Sequence, residues 1–170
     1  MESMSDPTRA AESDHAPYLA AQHHCFGCGP DNPHGLHLQF TLDAAAQTAT
    51  ARVHLDRHFE GPPGHIHGGI IATLLDEAMS KVNRLFGVLA MTRNMEIDYL
   101  RPAPLHQDLL LVGHHERREG RKLFHRAELL TIPPNGQSPV QLAHAKGLFV
   151  AVDSALIEAA QKAAKAAGRP

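Results

Sequence analysis

Tryptophan is absent from the 170 residues, tyrosine occurs twice, and aromatic residues make up only 5% of the chain. A surface that binds nucleic acid wants aromatics for base stacking and an excess of cations for phosphate. Here 16 Lys and Arg face 18 Asp and Glu, a net charge of −2, so no basic field exists and nucleic acid is not an expected partner. No apolar run approaches the roughly 20 residues that span a bilayer, and the start, Met1 to Ala16, has neither an apolar leader core nor a cleavage-site pattern. No membrane association is expected, and the expected location is cytoplasmic. Cysteine is limited to Cys25 and Cys28, with no second pair, and no internal repeat is visible.

What is present, 43% hydrophobic and 20% charged residues, suits one domain with a real core. Fourteen histidines are scattered, which fits surface decoration better than one metal centre, and they make the net charge climb below about pH 6.5. Residues 1–20, rich in Ala, Ser, Asp and Glu without a period, read as a mobile arm. Residues 21–153 read as the folded domain and 154–170 as an Ala-rich terminal helix or tail.

The stretch from Pro62 to Arg84 organises the rest. A Pro/Gly-rich loop leads into a long helical pattern in which Ile71, Leu74, Leu75, Ala78, Val82 and Leu85 form one apolar stripe. Gly69, Thr73, Asp76, Ser80 and Asn83 fall on the opposite, small and polar side. Gly68 and Gly69 start this helix without side chains, so a ligand could approach free backbone N–H groups at its positive end. Around it, Leu36–Leu42, Gln47–Leu55, Met91–Leu100, Leu109–Glu116, Leu123–Thr131 and Val140–Val152 read as strands, separated by Pro, Gly and Asn. About six strands and one helix predict an α+β fold, an antiparallel sheet wrapped around the helix.

Cys25 and Cys28 lie in a segment dense with turn residues, His23 to Leu36. With His23, His24 and His34 nearby the pair could ligate zinc, and as Cys-x-x-Cys it could be a dithiol. The favoured reading is structural thiols in a tight turn, because no second pair completes a metal centre and turns plus a strand follow.

His67-Gly68-Gly69, then Leu74-Leu75-Asp76-Glu77-Ala78-Met79, then Thr92 and Ile97-Asp98-Tyr99-Leu100-Arg101-Pro102 together resemble the hotdog-fold acyl-CoA thioesterases, in the branch typified by the phenylacetic-acid-degradation enzymes. Cys25-Phe26-Gly27-Cys28-Gly29 with Asn32-Pro33 and Gly35-Leu36 resembles an N-terminal signature of part of that superfamily. The resemblance covers residues 25–152. It implies hydrolysis of an acyl-CoA or acyl-carrier-protein thioester, with Gly68 as oxyanion amide, Asp76 as general base or nucleophile, and Thr92 supporting Asp76. His67, Gly69, Gly61, Glu60 and Asn83 complete the expected substrate-contacting set, with no metal and no cofactor. Many members carry Asn six positions before the His, where this chain has Gly61, so Glu60 or His58 would have to serve the attacking water.

Glu77, 100° round the helix from Asp76, is expected to be a solvated charge or a partner for Lys81. His67 is expected to shape the loop, and Arg101, Arg117, Arg118 and Lys122 are candidate phosphate contacts. Two other readings stay open: a non-catalytic acyl-CoA-binding or sensing domain, and a dehydratase or hydratase on the same fold, for which the polar face of the helix lacks a histidine near Asp76. Gly68 and Asp76 are eight residues apart, roughly 12 Å along a helix axis, too far for one thioester to touch both. A dimer or dimer of dimers with sites shared between chains is therefore expected.

Overall fold

The apolar stripe after Pro63 closes into helix α1, Gly68–Val82, and Ile71, Leu74, Leu75, Ala78, Met79 and Val82 on it are buried. His67 begins it in extended conformation, its side chain accepting from the Gly69 N–H as an N-cap. The structure, a computed structural model, describes residues 24–134, 137–153 and scattered positions between 155 and 163. The expected arm at 1–20 lies outside the described residues. The described positions from 155 onward are helical, and Asp153 accepts from the Ala155 N–H at 2.9 Å as a cap.

Six strands accompany the helix: β1 Thr41–Asp43, β2 Thr48–His54, β3 Ala90–Tyr99, β4 Asp108–Glu119, β5 Lys122–Thr131 and β6 Gln141–Ala151. They form one sheet in the order β1-β2-β4-β5-β6-β3, every neighbour antiparallel. This is the expected α+β hotdog fold. The alternation in β4 and β5 sends Leu109, Leu111, Leu123, Ala127 and Leu129 inward against α1. Full burial of a leucine such as Leu74, 0% exposed, is worth about 2 kcal/mol, so the helix-to-sheet seam holds the domain together.

Two glycines let the helix come very close. A Cβ at Gly113 in β4 would stand 2.4 Å from the Ala78 carbonyl oxygen, and one at Gly147 in β6 would stand 2.9 Å from the Met79 sulfur. The helix therefore rests on the sheet backbone at Gly113 with no side chain between them.

Two boundaries differ from expectation. The first strand begins at Thr41, because the Leu36 and Leu38 N–H groups bond instead to the carbonyls of Phe26 and Gly27, 2.7 and 2.9 Å away. The helical stripe stops at Val82, where the chain tightens into a 3₁₀ turn over Asn83–Phe86, leaving Leu85 only half-buried. β3 is the long free edge of the sheet. Most of its residues are exposed, on both faces of the strand.

Candidate active site

Asp76 stands half-buried on α1, on the side turned toward β3. The Thr92 hydroxyl donates to its Oδ1 at 2.8 Å. The pairing of β3 with β6 shifts register between Thr92 and Asn94, a bulge of the sort that re-aims a side chain. Burial pushes the Asp76 carboxyl above its ordinary value; the Thr92 hydrogen bond opposes this and the neighbouring Glu77 charge adds to it. The group is a carboxylate held readier to take a proton than a solvated one.

At the start of the helix, His67 Nδ1 accepts from the Gly69 N–H at 2.9 Å. That fixes the tautomer with the proton on Nε2, and it uses up one of the two amides expected to face a ligand. The Gly68 N–H has no partner among the described residues, and Tyr99 Oη donates to the Gly68 carbonyl at 3.1 Å. A Cβ at Gly68 would meet only the Tyr99 ring, at 3.7 Å. Packing within the chain therefore does not demand glycine there. Tyr99 is 53% exposed and was not among the expected site residues; its place in β3 across from the helix start is a tertiary fact with no local signal.

Gly61 is the opposite case. A Cβ there would lie 2.8 Å from the His67 Cα, and the Gly61 N–H bonds to the His65 carbonyl at 2.9 Å. The position where the resemblance leads one to expect Asn has no room for a side chain here. Glu60 braces the same loop: its Oε1 accepts from the Gly64 N–H at 2.7 Å, and Arg57 lies 3.9 Å from its other oxygen. His58, 87% exposed, is held by Asp56 at 2.9 Å. Both candidates for positioning water are thus engaged in shaping the loop.

Asn83 corrects an expectation. It is 2% exposed, and its Oδ1 pairs with Nε2 of the fully buried His125 at 2.9 Å, because β5 packs against the end of α1 there and covers it. Burial, then the nearby His115, lowers the His125 pKa to about 4, so this pair is a neutral core contact. Of the two roles expected for Glu77, the structure shows the Lys81 partner and not the solvated charge. Glu77 meets Lys81 at 2.7 Å, with the two side chains only 13% and 9% exposed. Of the candidate phosphate contacts, Arg101 donates to the Gln141 carbonyl and Arg118 to Gly120. Arg117 pairs with Glu119 and lies 3.5 Å over the Phe124 ring. Each has a partner within the chain, and Lys122 is exposed. No described helix is long and apolar enough to cross a membrane.

Comparison with known proteins agrees with the fold. Residues 63–134 match the model of the thioesterase superfamily. Acyl-coenzyme A thioesterase THEM4 of Rattus norvegicus is 40% identical over 67 residues, 39% of this chain and 29% of that protein. A thioesterase superfamily protein of known crystal structure is 30% identical, with a TM-score of 0.66 over 75% of this chain and 60% of its own. The E. coli PaaI protein from the phenylacetic acid degradation operon is 18% identical with a TM-score of 0.61, over 69% of this chain and 81% of its own, a likeness of fold. The chain spans less than half the length of the curated THEM4 relatives from rat, cow and mouse.

Proposed function

Because residues 63–134 of this hotdog-fold chain match the thioesterase superfamily, we propose that it hydrolyses an acyl-CoA thioester in a site completed by a second copy of itself. The observation that carries the reading is the Asp76–Thr92 pair, a carboxylate with a raised pKa, half-buried on the helix face opposite the core and held at 2.8 Å by one hydroxyl. A surface carboxylate without a task is seldom arranged so. The name of the rat relative, an acyl-coenzyme A thioesterase, supports the substrate class, and the acyl carrier could be coenzyme A or a carrier protein.

In this reading the thioester oxygen lies against the free Gly68 N–H at the positive end of α1, which stabilises the charge that develops on it. Asp76 of the other copy removes a proton from water as it attacks the carbonyl carbon, or attacks directly and forms an anhydride that water then opens. The C–S bond breaks, and the thiolate leaves and is protonated. His67 serves by capping, since Nδ1 holds the Gly69 N–H and leaves Gly68 as the oxyanion donor. The two-chain site follows from the roughly 12 Å between Gly68 and Asp76 on one helix, against the ~3 Å that attack requires. The ten-residue β3 edge offers the second copy a strand to pair with. The unit that carries the activity is taken as residues 21–153.

One observation favours a second reading, acyl-CoA binding without turnover: Gly61 has no room for the water-orienting Asn that the resemblance implies at this position. A panel of acyl-CoA and acyl-carrier-protein thioesters, scored for released thiol, separates the two. Tight binding without thiol release would replace the enzyme with the binder. Mixing Asp76→Asn with Gly68→Val tests the shared site. Each variant alone is expected to be inactive, and each heterodimer should regain up to about half of wild-type activity, since one of its two sites is intact. No recovery despite proven subunit exchange would remove the two-chain site.

A further inference from the structure

Cys25 and Cys28 have no part in the thioester chemistry, yet they sit in a built environment. Their sulfurs and a Glu77 carboxylate oxygen all lie within 4.8 Å of one another. The turn is closed by the Gly29 N–H donating to the Cys25 carbonyl at 2.8 Å. A Cβ at Gly27 would stand 2.7 Å from Glu77 Oε2, so the Cys-Phe-Gly-Cys turn folds directly onto the helix carboxylate. Lys81, its side chain 9% exposed, reaches into the same cluster and places Nζ 2.7 Å from both Cys28 Sγ and Glu77 Oε1. That N···S approach is within the range of N–H···O bonds and short for the larger sulfur atom.

Three donor groups of this kind suggest zinc, but Lys81 opposes it. A buried ammonium already contacts two of the three ligand atoms, and a dication would have to displace it or share its ligands with a positive charge. The arrangement suits proton and charge transfer between thiols instead. We propose that Cys25 and Cys28 form a reversible oxidation site, a dithiol that closes to a disulfide with Glu77 as proton acceptor and Lys81 as counter-cation.

The oxidant is a peroxide, and the electrons balance in two steps. Cys25 attacks one peroxide oxygen, giving Cys25 sulfenic acid and one water. Cys28 then attacks that sulfur: the S–S bond forms, the S–O bond breaks, and the hydroxyl leaves as a second water with the proton from Cys28. Altogether two thiols lose two electrons and two protons, and the peroxide becomes two waters. The order follows from the surroundings. Burial first, and then the hydrogen bond to Glu77, push the Cys28 thiol up to about 12, so it is a poor first nucleophile. Cys25, whose thiol makes only a 3.9 Å contact to Glu77 Oε2 while Lys81 Nζ is pressed against Cys28 Sγ at 2.7 Å, therefore attacks the peroxide first. Glu77 relays the Cys28 proton to the departing hydroxyl in the second step while the Lys81 ammonium steadies the emerging thiolate.

The test is native-state treatment of the full chain with hydrogen peroxide, an alkylating quench, and intact mass. Wild-type protein should lose about 2 Da and take up no alkyl groups, and a dithiol reductant should restore two alkylatable thiols. Cys25→Ser should leave Cys28 reduced and alkylatable. Glu77→Gln should slow disulfide closure about tenfold while trapping of the Cys25 sulfenic acid by a cyclic dione proceeds at the wild-type rate, a split that a merely structural role for Glu77 would not produce. If that variant fails to fold, the wild-type mass change still decides. Two thiols still alkylatable after peroxide, a stable addition of oxygen atoms, or stoichiometric zinc that keeps both thiols from the alkylating agent would each overturn the proposal.

Discussion

Asp76 and Glu77 follow one another on α1, about 100° apart round the helix, and the surroundings treat them oppositely. Asp76 faces outward toward β3 with one hydroxyl as partner, and its pKa is raised by burial. Glu77 faces the Cys25–Cys28 turn. Burial raises it as well, but the Lys81 charge and the hydrogen bonds from Cys28 and Lys81 outweigh that, leaving the carboxyl below its ordinary value. One carboxylate is left under-satisfied and the other is fully engaged. The comparison separates the part of the helix available for chemistry from the part that anchors the N-terminal turn, and residue type alone distinguishes neither.

Breaking the comparison at Glu77 should have the largest effect. Glu77→Ala leaves the Lys81 ammonium buried without its carboxylate, and a loss of about 3–5 kcal/mol in denaturant unfolding is expected. Asp76→Asn should do the reverse. A carboxyl whose folded pKa is raised costs stability above its unfolded pKa, so a neutral amide should hold or raise the Tm at pH 7. The same variant should lower kcat by about 100-fold, because an amide is neither base nor nucleophile. Near-normal turnover in Asp76→Asn would demote Asp76 to a helix-surface residue.

Stability against pH sharpens the contrast. The Glu77 contribution is full above its unfolded pKa and is lost as pH falls through its lower folded pKa, whereas the Asp76 penalty vanishes on acidification. The acid unfolding midpoint of Glu77→Gln should therefore shift upward and that of Asp76→Asn should not. The smallest effect is expected from Thr92→Val, about tenfold in kcat. Removing the hydroxyl lifts the restraint on the Asp76 pKa, so the acid limb of kcat/KM should move to higher pH. An unmoved limb would make Thr92 a simple strand residue.

Much of this was legible in the sequence. The helix, the six strands and their antiparallel pairing followed from spacing and turn residues. What escaped was tertiary. Asn83 shares a helical face with Asp76 on a wheel, but β5 brings His125 against it and buries it. Lys81 reads as a partner for Glu77, which it is, but nothing local announces that Cys28 will fold over it. Gly61 reads as the loss of a functional Asn until the His67 backbone is seen 2.8 Å from where its Cβ would be. The Tyr99 hydroxyl meets Gly68 across 31 residues, a distance no local pattern spans.

Gly113 sits in β4 under α1, where an added methyl carbon would collide with the Ala78 carbonyl at 2.4 Å. The helix is therefore seated on bare backbone, and its height above the sheet is a machined dimension set by a missing atom. Asp76 rides on that helix and Thr92 on that sheet, so the 2.8 Å between them inherits whatever the seat allows. A shim of one carbon at Gly113 would lift the carboxylate off its hydroxyl by a fraction of an ångström to an ångström, a misalignment on the scale that costs about 100-fold in rate. The spacing of the Asp76–Thr92 pair is thus set at a position that touches neither residue.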